Sequence, residues 1–175
     1  LLVWNMDSAI LKFQLTNPDV DSLEVDQRAM WKLVFLEKRS QALASASADG
    51  KVRFWNVKEG CLVWEHDARH MHRDVVAMTT EETNSFLITG DGAGSRKVSD
   101  ICRFLNVPKL DQSGHVIGLA HWRAHEGCIA SLDFVEKHRL ILSTSSDSRI
   151  KLWHFNGEGV FLAGVLGERH GPAWN

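Results

Sequence analysis

Three side chains in the C-terminal third of the sequence are of the types that serine hydrolases use. His125 could act as a base, Ser143 as a nucleophile and Asp147 as the carboxylate that orients the base. No Gly-x-Ser-x-Gly turn, which would expose the nucleophile, surrounds Ser143. The serine instead lies in the middle of a short apolar segment that is typical of a buried strand. We therefore expect these three side chains to have a structural role.

A glycine-rich segment is the second candidate for chemistry. Residues 90–94 are Gly-Asp-Gly-Ala-Gly and follow the apolar residues 86–88, an order that resembles a dinucleotide-binding loop. The third glycine of that fingerprint would fall at Ser95, however, and no crossover helix follows. We interpret the segment as a turn between two strands.

Imidazole and thiol groups that could bind zinc occur at several positions. The candidates are Cys61, His66, His70, His72, His121 and His125. The alternative interpretation of residues 66–72 is a polar loop between structural units, and we favour it. We expect neither a metal ion nor another cofactor.

The composition is that of an ordinary globular domain, with 44% hydrophobic and 24% charged residues. The chain has 20 Lys and Arg against 22 Asp and Glu, a net charge of 20 − 22 = −2, and its longest basic run is a pair such as Arg96 and Lys97. A nucleic-acid binder usually carries a basic excess to neutralise phosphates. We therefore expect no nucleic-acid binding.

Compartment is predicted from the apolar segments and the cysteines. The longest nearly apolar segment, residues 159–167, is much shorter than the roughly 20 residues of a membrane-spanning helix. Cys61, Cys102 and Cys128 are an odd number and form no Cys-x-x-Cys pair, and no signal peptide is recognisable. We expect reduced cysteines, a cytoplasmic location and no membrane association.

The sequence contains an internal repeat of about 50 residues. Residues 45–57 align without gaps with residues 143–155, and both segments place Asp six residues before Trp. A third copy ends at residues 101–107, and a fourth is visible only at residues 2–6. The anchor positions of the four copies are Trp4, Trp55, Leu105 and Trp153, with separations of 51, 50 and 48 residues.

Each repeat contains short strand patterns and no long segment with helical periodicity. Residues 51–55 alternate and then place Phe54 beside Trp55, so both faces of this strand must be buried. Polar turns such as Asp49-Gly50 separate the strands. Four short strands in a period of about 50 residues indicate one blade of a β-propeller.

These features resemble the WD-repeat β-propeller family, and the resemblance covers nearly the whole chain. In that family a His before the first strand, a Ser or Thr on the second, an Asp in the next turn and a Trp on the third form a hydrogen-bonded tetrad. His125, Ser143, Asp147 and Trp153 have the family's spacing of 18, 4 and 6 residues. The resemblance implies that the carboxylate orients the imidazole, the hydroxyl bridges and the indole N–H donates, so each buried polar atom is satisfied.

The earlier repeats depart from this pattern. The second keeps Ser45, Asp49 and Trp55 but has Asp26 and Gln27 where the histidine belongs. The third offers Thr89, with Ala93 at the aspartate position, Leu105 in place of the tryptophan, an insertion near residues 95–99, and His70 or His72 as a displaced histidine.

We predict an all-β fold, a partial WD40-type β-propeller of about three and a half four-stranded antiparallel blades. Its parts are a partial blade at residues 1–16, blades at 28–67, 74–122 and 127–166, and a tail at 167–175. Propellers usually need four to eight blades to close, and an open arc exposes sheet edges. We therefore expect residues 1–175 to be an excerpt, with the remaining blades in a longer polypeptide.

A narrower resemblance rests on the fourth repeat. Its residues 122–125 and 140–147, the Ile129 to Leu132 step and the spacing of Gly157, Val160, Gly164 and Gly167 are similar to large ciliary and axonemal WD-repeat proteins, including EF-hand-associated members. This resemblance implies a tandem-propeller scaffold of motile cilia.

We expect a non-catalytic scaffold that binds protein partners, in the cytoplasm and in the cilium or axoneme. Trp64 and Trp122 on fourth strands, and Arg96 and Lys97 in the insertion, are candidate partner contacts, with core or rim packing as the alternative for the tryptophans.

Two other functions remain open. The first is a substrate receptor of a ubiquitin ligase, although such proteins often carry Trp-Asp-x-Arg where this chain has Trp55-Asn56-Val57-Lys58 and Trp153-His154-Phe155-Asn156. The second is a non-catalytic part of a multidomain enzyme.

Overall fold

The computed structural model describes residues 1–36, 42–68, 74–92, 104–110, 116–156 and 160–166. For residues 104–110, 116–119 and 121 the structure describes the backbone alone. The predictions for His70, His72, Ala93, Arg96 and Lys97, and for the tail at residues 167–175, concern residues outside these ranges.

The strands form four antiparallel sheets in chain order. The first sheet is β1 (Leu2–Asn5) and β2 (Ile10–Gln14), and the second is β3 (Met30–Leu36), β4 (Ala42–Ser47), β5 (Lys51–Asn56) and β6 (Cys61–Asp67). The third sheet is β7 (Asp74–Thr80), β8 (Leu87–Gly92), β9 (Phe104–Leu110) and β10 (Val116–Arg123). The fourth sheet is β11 (Ile129–Val135), β12 (Leu140–Ser145), β13 (Ile150–Phe155) and β14 (Val160–Leu166).

In the four-stranded sheets each strand pairs with the next one along the chain, as in a propeller blade. The helical elements among the described residues are two single 3-10 turns, Asp26–Arg28 and Glu136–His138. The prediction of an all-β, partial β-propeller fold is confirmed. No helix in the described part of the chain has the length and apolar character needed to span a membrane.

The adjacent residues Phe54 and Trp55 show why the sheets must stack. Both are buried, and they point to opposite faces of the second sheet. Phe54 packs in a cluster with Val75 and Met78 of the third sheet, whereas Trp55 packs with Leu15 next to the first sheet. The prediction that both faces of this strand are buried is therefore confirmed.

The core consists of one apolar layer between each pair of neighbouring sheets. The layer between the third and fourth sheets contains Ala77, Ile88, Leu132, Phe134, Ile141, Trp153 and Phe155. The layer between the second and third sheets contains Leu36, Ala44, Ala46, Val52, Phe54, Val75, Met78 and Leu87. The layer between the first and second sheets contains Leu15, Leu43 and Trp55, with Val3, Phe13 and Leu62 packed against them.

Gly90 allows the third and fourth sheets to approach each other closely. A Cβ atom at this position would lie 2.7 Å from Cγ2 of Ile129, which is closer than carbon atoms can pack. Gly90 and Gly92 lie in strand β8, so the interpretation of these residues as a turn is wrong. A glycine is present because a neighbouring sheet, rather than a phosphate, lies against the backbone.

Candidate functional site

The four residues predicted to form a tetrad in the fourth sheet lie together. His125 precedes β11, Ser143 is on β12, Asp147 lies in the turn between β12 and β13, and Trp153 is on β13. Nδ1 of His125 is 3.0 Å from Oδ2 of Asp147, and its Nε2 is 2.7 Å from Oγ of Ser143. Nε1 of Trp153 is 2.9 Å from the same Oγ. The contacts form one chain from the indole to the carboxylate.

The chemistry of the groups fixes the direction of these hydrogen bonds. An indole N–H can only donate, so the Ser143 oxygen accepts from Trp153. The Ser143 hydroxyl can then donate to Nε2 of His125, and Nδ1–H of the ring donates to Asp147. Burial lowers the pKa of His125 and outweighs the opposite effect of Asp147, which favours the neutral ring that this arrangement requires.

Asp147 is held ionised by several donors. Burial alone would raise its pKa, but the backbone N–H groups of Glu126 and Arg149, each 3.0 Å from a carboxylate oxygen, and the ring of His125 lower the pKa below its ordinary value. The carboxylate therefore ties the segment before β11 to the turn that begins β13.

The tetrad geometry leaves no room for catalysis at Ser143. Its side chain is fully buried, and its oxygen already accepts a hydrogen bond from Trp153. A nucleophile must reach a substrate carbonyl, and no path to Ser143 is open. His125, Ser143 and Asp147 therefore have a structural role: their hydrogen bonds link three segments of the chain.

The second sheet repeats half of this arrangement. Nε1 of Trp55 donates to Oγ of Ser45 at 2.8 Å. Asp49 is buried, and its Oδ1 accepts from Oγ of Ser47 at 2.6 Å. Asp26 lies in an exposed 3-10 turn and takes no part in this arrangement. In this sheet a cation, rather than a neutral histidine ring, contacts the buried aspartate.

That cation is Arg53, which sequence analysis missed. Its guanidinium lies 2.6 Å from Oδ2 of Asp49 and 2.9 Å from Oγ of Ser47, and its side chain is fully buried. Burial would raise the pKa of Asp49, but the bond from Arg53 and those from Ser47 and the Lys51 backbone lower it. Arg53 thus neutralises the buried carboxylate of Asp49, whereas in the fourth sheet the equivalent carboxylate of Asp147 is contacted by the ring of His125.

Two more carboxylates complete the charge cluster around Arg53. Asp19, in the segment between β2 and β3, lies 3.1 Å from the guanidinium and 2.6 Å from Nζ of Lys51. Glu65 on β6 contacts Arg53 at 3.2 Å and Lys51 at 2.8 Å. The one sequence feature that could have indicated this cluster is the missing histidine, which leaves Asp49 without a partner.

The third sheet has lost the tetrad. The Oγ1 atom of Thr89, at the position of Ser45, is buried and makes no hydrogen bond within the described residues. Gly90 pairs with Leu105, whereas the aligned Ala46 pairs with Val52, three residues before the tryptophan. By this register Pro108, rather than Leu105, takes the place of the tryptophan, so the prediction for Leu105 is wrong. Neither a proline nor a leucine side chain carries a donor that could replace the indole N–H.

The two candidate contact tryptophans are half-buried and pack against other rings. Trp64 lies 5.6 Å from the ring of Phe54 and is stacked on His66 at 5.5 Å between centroids. Trp122 lies 5.6 Å from Trp153 in an edge-to-face contact. A role in partner contact stays a prediction for both residues.

The zinc candidates that the structure describes are not gathered in one place. His66 stacks on Trp64, His125 belongs to the tetrad, and Cys61 is exposed at the opposite end of β6. Within the described ranges no group of three or more His, Cys, Asp or Glu side chains could hold a metal ion.

Strand β14 is an exposed apolar edge that sequence analysis did not select. Phe161, Leu162 and Leu166 are each more than half exposed, and the strand contains no charged residue. Among the described strands β14 pairs with β13 alone, which leaves the backbone groups of its other edge unpaired. The outer strand of the second sheet, β6, instead ends in Glu65, His66 and Asp67.

Comparison with known proteins gives a consistent family assignment. The sequence profile described as "WD domain, G-beta repeat" matches residues 19–56 and 118–154. A WD repeat-containing protein on Y chromosome from Anopheles gambiae is 23% identical over 177 residues, and the match covers 81% of this chain and 17% of that protein. The chain therefore spans about a sixth of the length of that curated relative.

Two solved structures share the fold. The structure of U3-55K matches with a TM-score of 0.64 and 21% identity, over 84% of this chain and 42% of that one. The computationally designed Ika8 protein matches with a TM-score of 0.66 and 20% identity, over 94% of this chain and 42% of that one. The profile match and the WD-repeat relative support a WD-repeat family for this chain, and the two solved structures share its stacked-sheet fold.

Proposed function

We propose that residues 1–175 are part of a non-catalytic WD-repeat scaffold that binds protein partners in the cilium or axoneme. The observation that carries this proposal is that His125, Ser143, Asp147 and Trp153 form one continuous hydrogen-bond chain through the fully buried Ser143. The three side chains that could have formed a hydrolase site therefore stabilise a blade instead. We therefore look for its function in the binding of other proteins to its surface.

The ciliary part of the proposal is supported by the fourth repeat. Its sequence is similar to large axonemal WD-repeat proteins, and the chain corresponds to a small part of a much longer curated relative. A large scaffold with several propellers agrees with both observations.

The surface that we propose for partners is the outer edge of β14. An unpaired strand edge exposes a row of backbone N–H and C=O groups, and an extended segment of another protein can pair with it. Phe161 and Leu162 point to opposite faces of the sheet, so alternate apolar side chains of such a segment would find contact area on both. The partner that fits is an uncharged extended strand.

The ciliary assignment is tested with an antibody raised against residues 1–175. We expect a band far above 20 kDa that is strong in lysates of ciliated tissue and weak in matched non-ciliated tissue, and that fractionates with isolated axonemes. Equal amounts in both tissues, or absence from axonemes, would contradict the ciliary assignment and leave the family assignment intact.

A further inference from the structure

We propose that residues 17–28 form a displaceable strap on the second sheet. Asp19 of the strap occupies a carboxylate-binding position between Lys51 and Arg53, and an Asp or Glu side chain of an acidic segment in a partner protein can take its place. The proposal goes beyond the proposed function, because it depends neither on β14 nor on the ciliary assignment.

The first observation is how Asp19 is bound. Its Oδ2 atom accepts hydrogen bonds from Nζ of Lys51 at 2.6 Å and from the guanidinium of Arg53 at 3.1 Å. Both donors belong to β5, and the Arg53 side chain is fully buried, so the sheet fixes the position of the guanidinium. The hydrogen bond from Lys51 lowers the pKa of Asp19, so a negative charge is favoured at this position.

The second observation is that the two cations have other counter-charges. Arg53 contacts Asp49 at 2.6 Å and Glu65 at 3.2 Å, and Lys51 contacts Glu65 at 2.8 Å. Two cations thus face two carboxylates of the same sheet and its turn. Departure of Asp19 therefore leaves no uncompensated buried charge. The N–H donors that it frees on Lys51 and Arg53 are then available to another carboxylate.

The third observation is that few contacts hold the strap. None of residues 16–29 is buried, and Val25 is 80% exposed. The turn hydrogen bonds of the strap backbone close within the strap itself. Among the described residues, its hydrogen bonds and ion pairs with the second sheet are those of Asp19 and a 3.5 Å contact from Asn17 to Asp49. A segment with so few buried contacts opens locally at a small cost in free energy.

The fourth sheet has a fixed version of the same connection. There the segment before β11 is held by His125, which is fully buried and contacts both Ser143 and Asp147. The segment before β3 is held instead by Asp19, whose side chain is 38% exposed. Water and salt weaken an exposed charged contact more than a buried one. The second sheet therefore has an exchangeable contact where the fourth sheet has a permanent one.

The charge of the strap determines what the strap excludes. It carries four carboxylates and one cation, a net charge of 1 − 4 = −3, from Asp19, Asp21, Glu24, Asp26 and Arg28. In the closed position the strap fills the carboxylate position and also repels an acidic ligand. Because it is tethered, it competes with a free ligand at an effective concentration of about millimolar. Loss of the Asp19 contact should therefore strengthen the binding of an acidic segment.

The first experiment measures release of the strap in the full-length protein. Asp19→Asn removes the contact with Lys51 and Arg53, whereas Asp21→Asn removes an equal charge at an exposed position of the same segment. Hydrogen exchange with peptide-resolved mass spectrometry follows residues 20–28. We expect these residues to exchange about tenfold or more faster in Asp19→Asn than in the wild type and in Asp21→Asn. Equal exchange in the three proteins would overturn the proposal.

The second experiment tests the carboxylate position with a defined ligand. The probe is a synthetic peptide with the sequence of residues 16–28 and blocked ends, and a carbodiimide joins lysine amines to carboxylates that contact them. We expect the cross-link between Lys51 and the peptide to be about tenfold or more abundant in Asp19→Asn than in the wild type and in Asp21→Asn. The cross-link to Lys58, an exposed lysine between β5 and β6, should be equal in all three proteins.

A peptide cross-link at Lys51 that is equal in the three proteins, or that rises in parallel with the one at Lys58, would overturn the proposal. If Asp19→Asn does not fold, hydrogen exchange of the wild-type protein decides. Exchange of residues 20–28 should then accelerate between about 50 mM and about 500 mM salt while exchange of β5 stays constant, and the absence of this acceleration would overturn the proposal. Binding through β14 enters none of these measurements, so the two proposals fail separately.

Discussion

The indole Nε1 of Trp153 lies 2.9 Å from Oγ of Ser143, and this bond joins two neighbouring strands from the inside of the fourth sheet. Ser143 also contacts Nε2 of His125 at 2.7 Å. The buried Ser143 hydroxyl thus accepts a hydrogen bond from Trp153 and donates one to His125, so the hydrogen-bond chain depends on it.

Replacing that hydroxyl should destabilise the protein strongly. Ser143→Ala leaves the Trp153 indole and the His125 ring buried without their partner, and we expect a loss of about 2 to 3 kcal/mol in the free energy of unfolding. Urea unfolding measures the difference. Ser131→Ala, at an exposed position on β11, is the matched control and should change stability by less than about 0.5 kcal/mol. Equal effects of the two substitutions would contradict the assigned role.

Arg53 should be as important in the second sheet as His125 is in the fourth. Arg53→Met removes the cation and leaves Asp49 buried without a counter-charge, so we expect a loss of about 3 to 5 kcal/mol in unfolding free energy. The double variant Arg53→Met with Asp49→Ala should recover part of this loss, because the stranded charge is then gone. Additive effects of the two substitutions would argue against the pair.

Stability should fall as the solution is acidified through the ordinary pKa of histidine. Burial lowers the pKa of folded His125 below 6.5, so between that lowered value and 6.5 the unfolded chain binds a proton that the folded chain does not. The contribution is present above about pH 6.5 and is lost as the pH falls through this window, by at most about 1.4 kcal/mol per pH unit.

The pH dependence is assigned with two variants. Urea unfolding at about pH 7.5 and about pH 5.5 should show a smaller change for His125→Gln than for the wild-type protein. His154→Gln, at an exposed position, should keep the wild-type change. His66, whose pKa is also lowered by burial, is intact in all three proteins and contributes equally. An undiminished change in His125→Gln would show that another group titrates.

Two glycines should respond in opposite ways to a single added carbon. Gly90→Ala places a Cβ 2.7 Å from Ile129 and should force the third and fourth sheets apart, at a cost of about 1 to 3 kcal/mol. Gly164 on β14 has no atom within 4 Å of such a Cβ, so Gly164→Ala should be neutral or slightly stabilising. Thermal unfolding of both variants checks the packing of the sheets, and a harmless Gly90→Ala would contradict it.

The sequence was sufficient for the parts of the structure that the repeat encodes locally. The spacing of Asp and Trp in the second and fourth repeats predicted the strand order, because each contact joins neighbouring strands of one sheet. The tetrad residues of the fourth sheet were predicted from the resemblance to the WD-repeat family, whose spacing His125, Ser143, Asp147 and Trp153 match.

Contacts between segments that are distant in the sequence could not be predicted from the repeat spacing. Arg53 depends on Asp19, which is 34 residues earlier and belongs to a segment with no repeat pattern. The register of β9 against β8 was misjudged because the insertion before it has no counterpart in the other repeats. That β14 has an exposed edge depends on the order of the strands in the sheet, which its own sequence does not encode. Its lack of charged residues could be read from the sequence.

We propose above that the chain binds protein partners through the outer edge of β14. The most direct measurement is quantitative affinity purification of the tagged full-length protein from ciliated cells. It compares the wild type with Phe161→Glu/Leu162→Glu on β14 and with Val63→Glu, an equally exposed apolar position on β6. We predict that a set of axonemal proteins is recovered with the wild type and with Val63→Glu and is lost with the β14 variant. Recovery of the same partners by all three proteins would contradict the account.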